Sequence, residues 1–124
     1  MTRAFARWLR RSALTEAALS VAVAEMSAGL VDADLGGGVV KKRVPLPGRG
    51  KRGGARTLVA TNRDDRWFFV FGFEKNERGN VTLRELEALR ALATMLLGYS
   101  AAELDAQLEQ QLLKEISDDQ RSNH

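Results

Sequence analysis

The sequence predicts an α+β domain in the order helix, helix, three antiparallel strands, helix, helix. Three observations carry that expectation. Apolar residues recur at helical spacing between Phe5 and Met26. From Val39 to Phe73 the pattern changes to alternation and then to a nearly unbroken apolar run, as strands require. Two capping boxes, Thr82–Glu85 and Ser100–Glu103, then open two further apolar helical stripes.

Phe5, Trp8 and Leu9 mark one face of the first helix, with Arg7, Arg10 and Arg11 on the other. Thr15 reads as the N-cap of the second, with Glu16 well placed in its first turn. Ala18, Leu19, Ala22, Val23 and Met26 line that helix, and Gly29 stands where a C-cap would end it. Leu30–Leu35 is expected to be a connector. Gly36–Gly38 is a turn into the first strand, and lacks the Lys-Ser/Thr that would make it a P-loop. In Val39–Leu46, Val40, Val44 and Leu46 share one face, Lys41 and Arg43 the other, and Lys42 interrupts the apolar face. Pro45 cannot donate to a ladder, so it belongs at an edge or a strand end. Pro47–Ala55, rich in glycine, is expected to be a loop. Arg56–Asn62 is the second strand, and Asp64–Asp65 the turn. Trp67–Phe73 suits a central strand covered on both faces, with Gly72 letting another group pass closely. Leu83, Leu86, Leu89, Ala93, Leu96 and Leu97 form the stripe of the third helix, which Gly98 ends. Leu104, Leu108, Leu112 and Ile116 continue a fourth at spacings of four.

The length fits one domain, placed at 1–117, with a polar tail, 118–124, expected to be disordered. There is no Cys, so disulfides, thiol catalysis and Cys-based zinc sites are excluded. The single His is His124, which leaves no His-based metal site and no Ser-His-Asp triad. No cofactor and no metal are expected. No apolar run is long enough for a membrane span, and the start, MTRAFARWLRR, is too charged for a signal peptide. A cytoplasmic location is expected.

Charge is unevenly spread. Residues 1–79 hold 15 Lys and Arg against 8 Asp and Glu, a balance of +7, whereas residues 80–124 hold 4 against 8, a balance of −4. Within 39–63 eight cations stand with no acid among them: Lys41, Lys42, Arg43, Arg49, Lys51, Arg52, Arg56 and Arg63. A solvated face normally mixes signs, so this run points to an anionic partner, nucleic acid first. Lys41, Lys42, Arg43, Arg49, Arg52 and Arg63 are therefore candidate RNA-binding residues, with Asn76 and Arg78 beyond the third strand.

Strand order narrows the choice. Sequential antiparallel pairing puts Arg56, which opens the second strand, and Lys75, which follows the third, at the same end of the sheet. Lys51, in the loop, can fold back over it. A phosphate could sit among these three. Such a group can serve RNA cleavage without metal or His. The 2′-hydroxyl must lose a proton, the phosphorane needs electrostatic support, and the 5′-oxygen must gain a proton. Arg grips phosphate with two prongs but stays charged, so it is a poor base. Lys among other cations can lose its proton near neutral pH. Glu77 is a conventional base candidate. The residues by themselves favour phosphate binding alone, with Glu77 an ion-pair partner of a neighbouring Arg.

The segments KKRVPLPGRGKRGGARTLVA, FFVFGFEKNERGNVT and ELEALRALA resemble the RelE-type toxins of bacterial toxin–antitoxin systems. The resemblance is to a RelE-like or HigB-like branch with GK-x-GG-x-R after the first strand and F-x-K-N-E after the third. It spans roughly residues 3–116 and matches at Gly50, Lys51, Gly53, Gly54, Arg56, Lys75, Asn76 and Glu77. It implies a RelE/ParE-like fold and a ribosome-dependent endoribonuclease that cuts mRNA in the A site. It also implies a cognate antitoxin, of helix-turn-helix type, that holds the enzyme inactive. The implied catalytic residues are Lys51, Arg56, Lys75 and Glu77. The related ParE branch poisons DNA gyrase on the same fold. Non-catalytic inhibition of gyrase, or plain RNA or ribosome binding, are thus the alternatives.

Overall fold

The computed structural model describes residues 1–48 and 50–116, with residues 50–53 described by their backbone alone. Arg49, the tail expected at 118–124 and His124 lie outside the described residues. The elements are α1 (Arg3–Arg11), α2 (Glu16–Ser27), β1 (Ala33–Asp34), β2 (Val39–Leu46), β3 (Gly50–Thr61), β4 (Trp67–Glu74), α3 (Leu83–Gly98) and α4 (Ala101–Glu109). The strands make one antiparallel sheet in the order β1-β2-β3-β4. The expected α+β class holds, with one strand more than the sequence suggested.

Local chemistry starts each helix. Thr2, Thr15, Thr82 and Ser100 accept hydrogen bonds from the N–H groups of Phe5, Ala18, Glu85 and Glu103. Glu85 and Glu103 reach back to the N–H groups of Thr82 and Ser100, completing both capping boxes. Those backbone donors, first among several groups, hold both carboxyls below the usual carboxylate range.

The sheet has a core on each face. α1 and α2 bring Phe5, Leu19 and Met26 against Val40, Val44, Val59 and Phe69. α3 brings Leu89, Ala93 and Leu96 against Val39, Leu58, Ala60, Phe68 and Val70. A bulge explains how one strand serves both. Val59 pairs with Phe69 but Leu58 pairs with Phe71, so Val70 is the extra residue. The bulge resets the alternation, and Phe69 and Phe71 go to opposite faces.

The expectation that Trp67–Phe73 is a central strand is corrected: β4 is an edge. Its apolar run reflects cover above and below, not a strand on each side. Gly72 is the closest approach of α1 to the sheet. A Cβ there would lie 2.5 to 2.9 Å from three carbons of the Trp8 ring. Gly72→Ala is therefore expected to destabilise by about 1–3 kcal/mol, because an aromatic ring cannot deform and must shift. Urea unfolding would show a lowered midpoint with an unchanged slope.

Three more boundaries differ from expectation. Ala33–Asp34, within the expected connector, is a strand. The Asp32 N–H donates to the Lys41 carbonyl, and the Asp32 carboxylate accepts from the Arg43 N–H at 2.6 Å. Gly36, Gly37 and Gly38 all have positive φ, 80°, 63° and 84°, and close the turn that brings β1 to β2. Arg90 of α3 donates through its Nε to the Leu35 carbonyl at 3.0 Å and fastens that turn.

The glycine-rich loop is mostly strand. β3 begins at Gly50, and only Pro47–Gly48 remain as described turn. Leu46 pairs with Gly50 and Val44 with Ala55, so Lys51–Gly54 stand opposite Pro45 alone. Pro45 has no N–H to continue the ladder, and the register breaks there. α4 ends at Glu109, short of the stripe that reaches Ile116. Gln111 takes φ 60° and the Leu112 N–H returns to the Gln107 carbonyl, a Schellman-type stop. Leu113 then bridges to Thr2 and enters the α3-side core. Among the described residues no helix is long and apolar enough to cross a membrane.

Candidate nucleic-acid interface

Pairing fixes two rows across the face that α3 shares. Lys41, Leu58 and Phe71 form one; Arg43, Arg56 and Phe73 form the next. Residues directly opposite in an antiparallel pair project to the same face. Gly72 meets Trp8 of α1, so its neighbours Phe71 and Phe73 face away from that helix. Arg43 and Arg56 therefore stand side by side on this face. Like charges placed directly opposite are unfavourable without an anion between them. Arg43 is exposed, and its guanidinium has no ion-pair or hydrogen-bond partner among the described residues. Arg56 is half-buried, and its Nη1 donates to the Gly54 carbonyl at 2.9 Å. That bond steadies the guanidinium and leaves most of its donors for a ligand.

Ala55 pairs with Glu74, so the turn that follows β4 lies beside Gly54 and Arg56. Lys75 and Asn76 occupy that turn and are exposed. The structure thus brings Arg43, Arg56, Lys75 and Asn76 to one end of the sheet. Lys51 and Arg52 lie in the same part of β3 by backbone, opposite Pro45.

Glu77 is held in place. Its Oε1 accepts from the Glu74 N–H at 2.7 Å and from the Trp8 indole N–H at 3.5 Å. It pairs with no Arg among the described residues, contrary to the ion-pair alternative. One oxygen ties the turn to α1, and Oε2 makes no hydrogen bond or ion pair among the described residues. Arg78 is committed elsewhere. It pairs with Glu85 at 2.6 Å and lies over the Phe71 ring at 5.4 Å. Lys41 is half-buried, with its Nζ 3.4 Å from the Asn80 side-chain oxygen.

Two expected RNA contacts do not join this group. Lys42 is 7% exposed and sits on the opposite face from Arg43. Its Nζ meets Glu25 of α2 at 3.1 Å and the Leu30 carbonyl at 2.9 Å. The residue that interrupts the apolar face therefore anchors α2. Lys42→Met is expected to change stability by less than about 2 kcal/mol, since the partly exposed Glu25 can return to water. It should leave the salt dependence of RNA binding unchanged. Arg43→Gln should lower that slope by about 0.7 for a single strand. A salt titration of both variants checks this. Arg63 pairs with Asp34 at 3.2 Å in the β3–β4 turn. β3 runs five residues on from Arg56 to Thr61, about 17 Å, so Arg63 lies beyond the far end of that strand.

Among the described residues no three His, Cys, Asp or Glu side chains come together as metal ligands. The arginines of α1 received no role from sequence. Arg11 shares a cleft of about 430 Å³ with Trp8, Phe71, Glu77 and Arg78. Their spacing at three and four residues was the available signal.

A family model described as the RelE toxin of the RelE/RelB toxin–antitoxin system matches residues 1–116. Comparison with curated proteins returned no match.

Proposed function

This chain belongs to the RelE toxin family, and we propose that it acts as a ribosome-dependent endoribonuclease that cuts mRNA and stops translation in the cytoplasm. It is a toxin of a toxin–antitoxin system, and such toxins pair with an antitoxin. The observation that carries the reading is the Arg43–Arg56 cross-strand pair, two like charges with no carboxylate opposite, beside the Lys75 turn.

In this reading Lys51, Arg56 and Lys75 surround the scissile phosphate, and Arg43 and Asn76 hold the strand beside it. A base takes the proton of the 2′-hydroxyl. The 2′-oxygen bonds to phosphorus, the bond from phosphorus to the 5′-oxygen breaks, and an acid protonates that oxygen. The products are a 2′,3′-cyclic phosphate and a 5′-hydroxyl. Guanidinium and ammonium groups stabilise the charge that gathers on the phosphorane, the largest single contribution in such a site. A lysine amine, or Oε2 of Glu77, serves as base. The antitoxin, of helix-turn-helix type, inhibits by laying acidic residues of its own over this basic face.

Mapping mRNA 5′ ends after expression in bacteria tests the proposal, with wild type and Lys51→Ala side by side. New 5′ ends in translated messages, at codon-linked positions, are expected for wild type. They should fall by at least about a hundred-fold in the variant. DNA damage with intact mRNA would instead identify gyrase as the target and overturn the cleavage reading.

A further inference from the structure

The exposed side of α1 carries Arg3, Arg7, Arg10 and Arg11 and no acidic residue. None of these guanidiniums has an ion-pair or hydrogen-bond partner among the described residues. Arg10 and Arg11 stand in the last turn and suit the helix dipole, but the start of the row works against the helix. Arg3 stands in the first turn, at the positive end of the dipole. Arg3 with Arg7, and Arg7 with Arg11, are like charges four residues apart. No carboxylate among the described residues pairs with these guanidiniums, which is the pattern of residues kept for a ligand.

Two hollows connect them to the rest of the surface. At one end Arg3, Arg7 and Arg10 line a groove of about 600 Å³ with Gln111, Lys114 and Glu115. Glu115 is its single acid among the described residues, and Lys114 lies 3.9 Å from Glu16 nearby. At the other end Arg11 enters the cleft that holds Glu77 and Arg78, next to the Lys75 turn. The indole of Trp8 joins α1 to that turn through Glu77. The four arginines span about 12 Å of helix axis. They form a track that leads to the cation-rich end of the sheet.

We infer that α1 is a second phosphate-binding surface, which holds the RNA strand flanking the stretch gripped by the sheet. The inference deepens the proposed function and rests on that reading for the identity of the nucleic acid as RNA. A strand seated across both surfaces meets cations at intervals along its phosphates. Affinity therefore rises with strand length.

The test uses the full chain and two single-stranded RNAs, of about four and about sixteen nucleotides. Wild type is expected to bind the longer one more tightly and with a steeper salt dependence. The triple variant Arg3→Gln, Arg7→Gln, Arg10→Gln should lose about 2 units of that slope on the longer RNA, three contacts at about 0.7 each. It should bind the shorter RNA as wild type does. A triple variant that affects neither RNA, or both alike, overturns the inference. So does an α1 dependence equally strong for duplex DNA, or one confined to antitoxin binding. If wild type binds neither RNA, this inference falls, while ribosome-dependent cleavage is still judged by the 5′-end mapping. If binding of the longer RNA depends on α1 while Arg43→Gln and Arg56→Ala change nothing, the sheet reading fails and the α1 surface stands.

Discussion

Arg56→Ala is expected to lower mRNA cleavage by roughly 10²- to 10³-fold while the fold stays intact. Arg56 lies mid-row, between Arg43 on β2 and Phe73 on β4, and is half-buried. A charge so placed acts through less water than a surface lysine does, and its interaction with a phosphorane is correspondingly larger. Its bond to the Gly54 carbonyl fixes the guanidinium before substrate arrives, so little reorganisation is needed. Removing the side chain forfeits that local hydrogen bond, about 1 kcal/mol. It also relieves the repulsion from Arg43, so the melting temperature should move by only a few degrees. Arg56→Lys keeps the charge but not the fork, and should fall between alanine and wild type. Cleavage kinetics on programmed ribosomes, with circular dichroism melts, give both readouts. Wild-type cleavage by a folded Arg56→Ala would remove this row from the site.

Phe69→Ala should be the most damaging single truncation, at about 3–5 kcal/mol. Phe69 is fully buried, and its ring packs at 5.4 Å from Phe5. Its carbonyl accepts the Thr2 N–H at 3.2 Å. The cavity therefore opens where the start of the chain and α1 join the sheet. Whole domains are stable by only about 5–15 kcal/mol, so much of the chain would be unfolded at growth temperature. Phe69→Leu, which keeps most of the volume, should lose clearly less. Urea unfolding of the two variants compares them, and equal losses would mean that packing volume is not the cause.

Features set by local chemistry were legible in the sequence. Thr82–Glu85 and Ser100–Glu103 announce their helices because each box needs only its own four residues. Arg56 and Lys75 could be brought to one end because a single antiparallel turn relates their strands. Features set by distant partners were not legible. Glycines at 50, 53 and 54 suggested a loop, yet pairing of Gly50 and Ala55 with β2 on either side of a register break makes the segment part of β3. The leucine spacing of α4 continues past Glu109, but Leu113 leaves it to meet Thr2, more than a hundred residues away. Lys42 stood out as an exception to alternation, and only the packed α2 reveals Glu25 and Leu30 as its reason. An apolar run reports what lies above and below a strand and says nothing of its lateral neighbours, so the edge position of β4 was hidden.

That edge position bears on self-association. A long, phenylalanine-rich strand with a free side is a template for recruiting the same strand from another molecule. Here the Thr2 N–H already occupies the Phe69 carbonyl, and Trp8 is pressed onto Gly72. Thr2, the N-cap of α1, therefore occupies one acceptor of this edge, and α1 covers the face beside it. Damage to its packing would release Phe68–Phe73 as an adhesive ribbon, so aggregation, rather than simple loss of activity, is the cost of loosening the first helix.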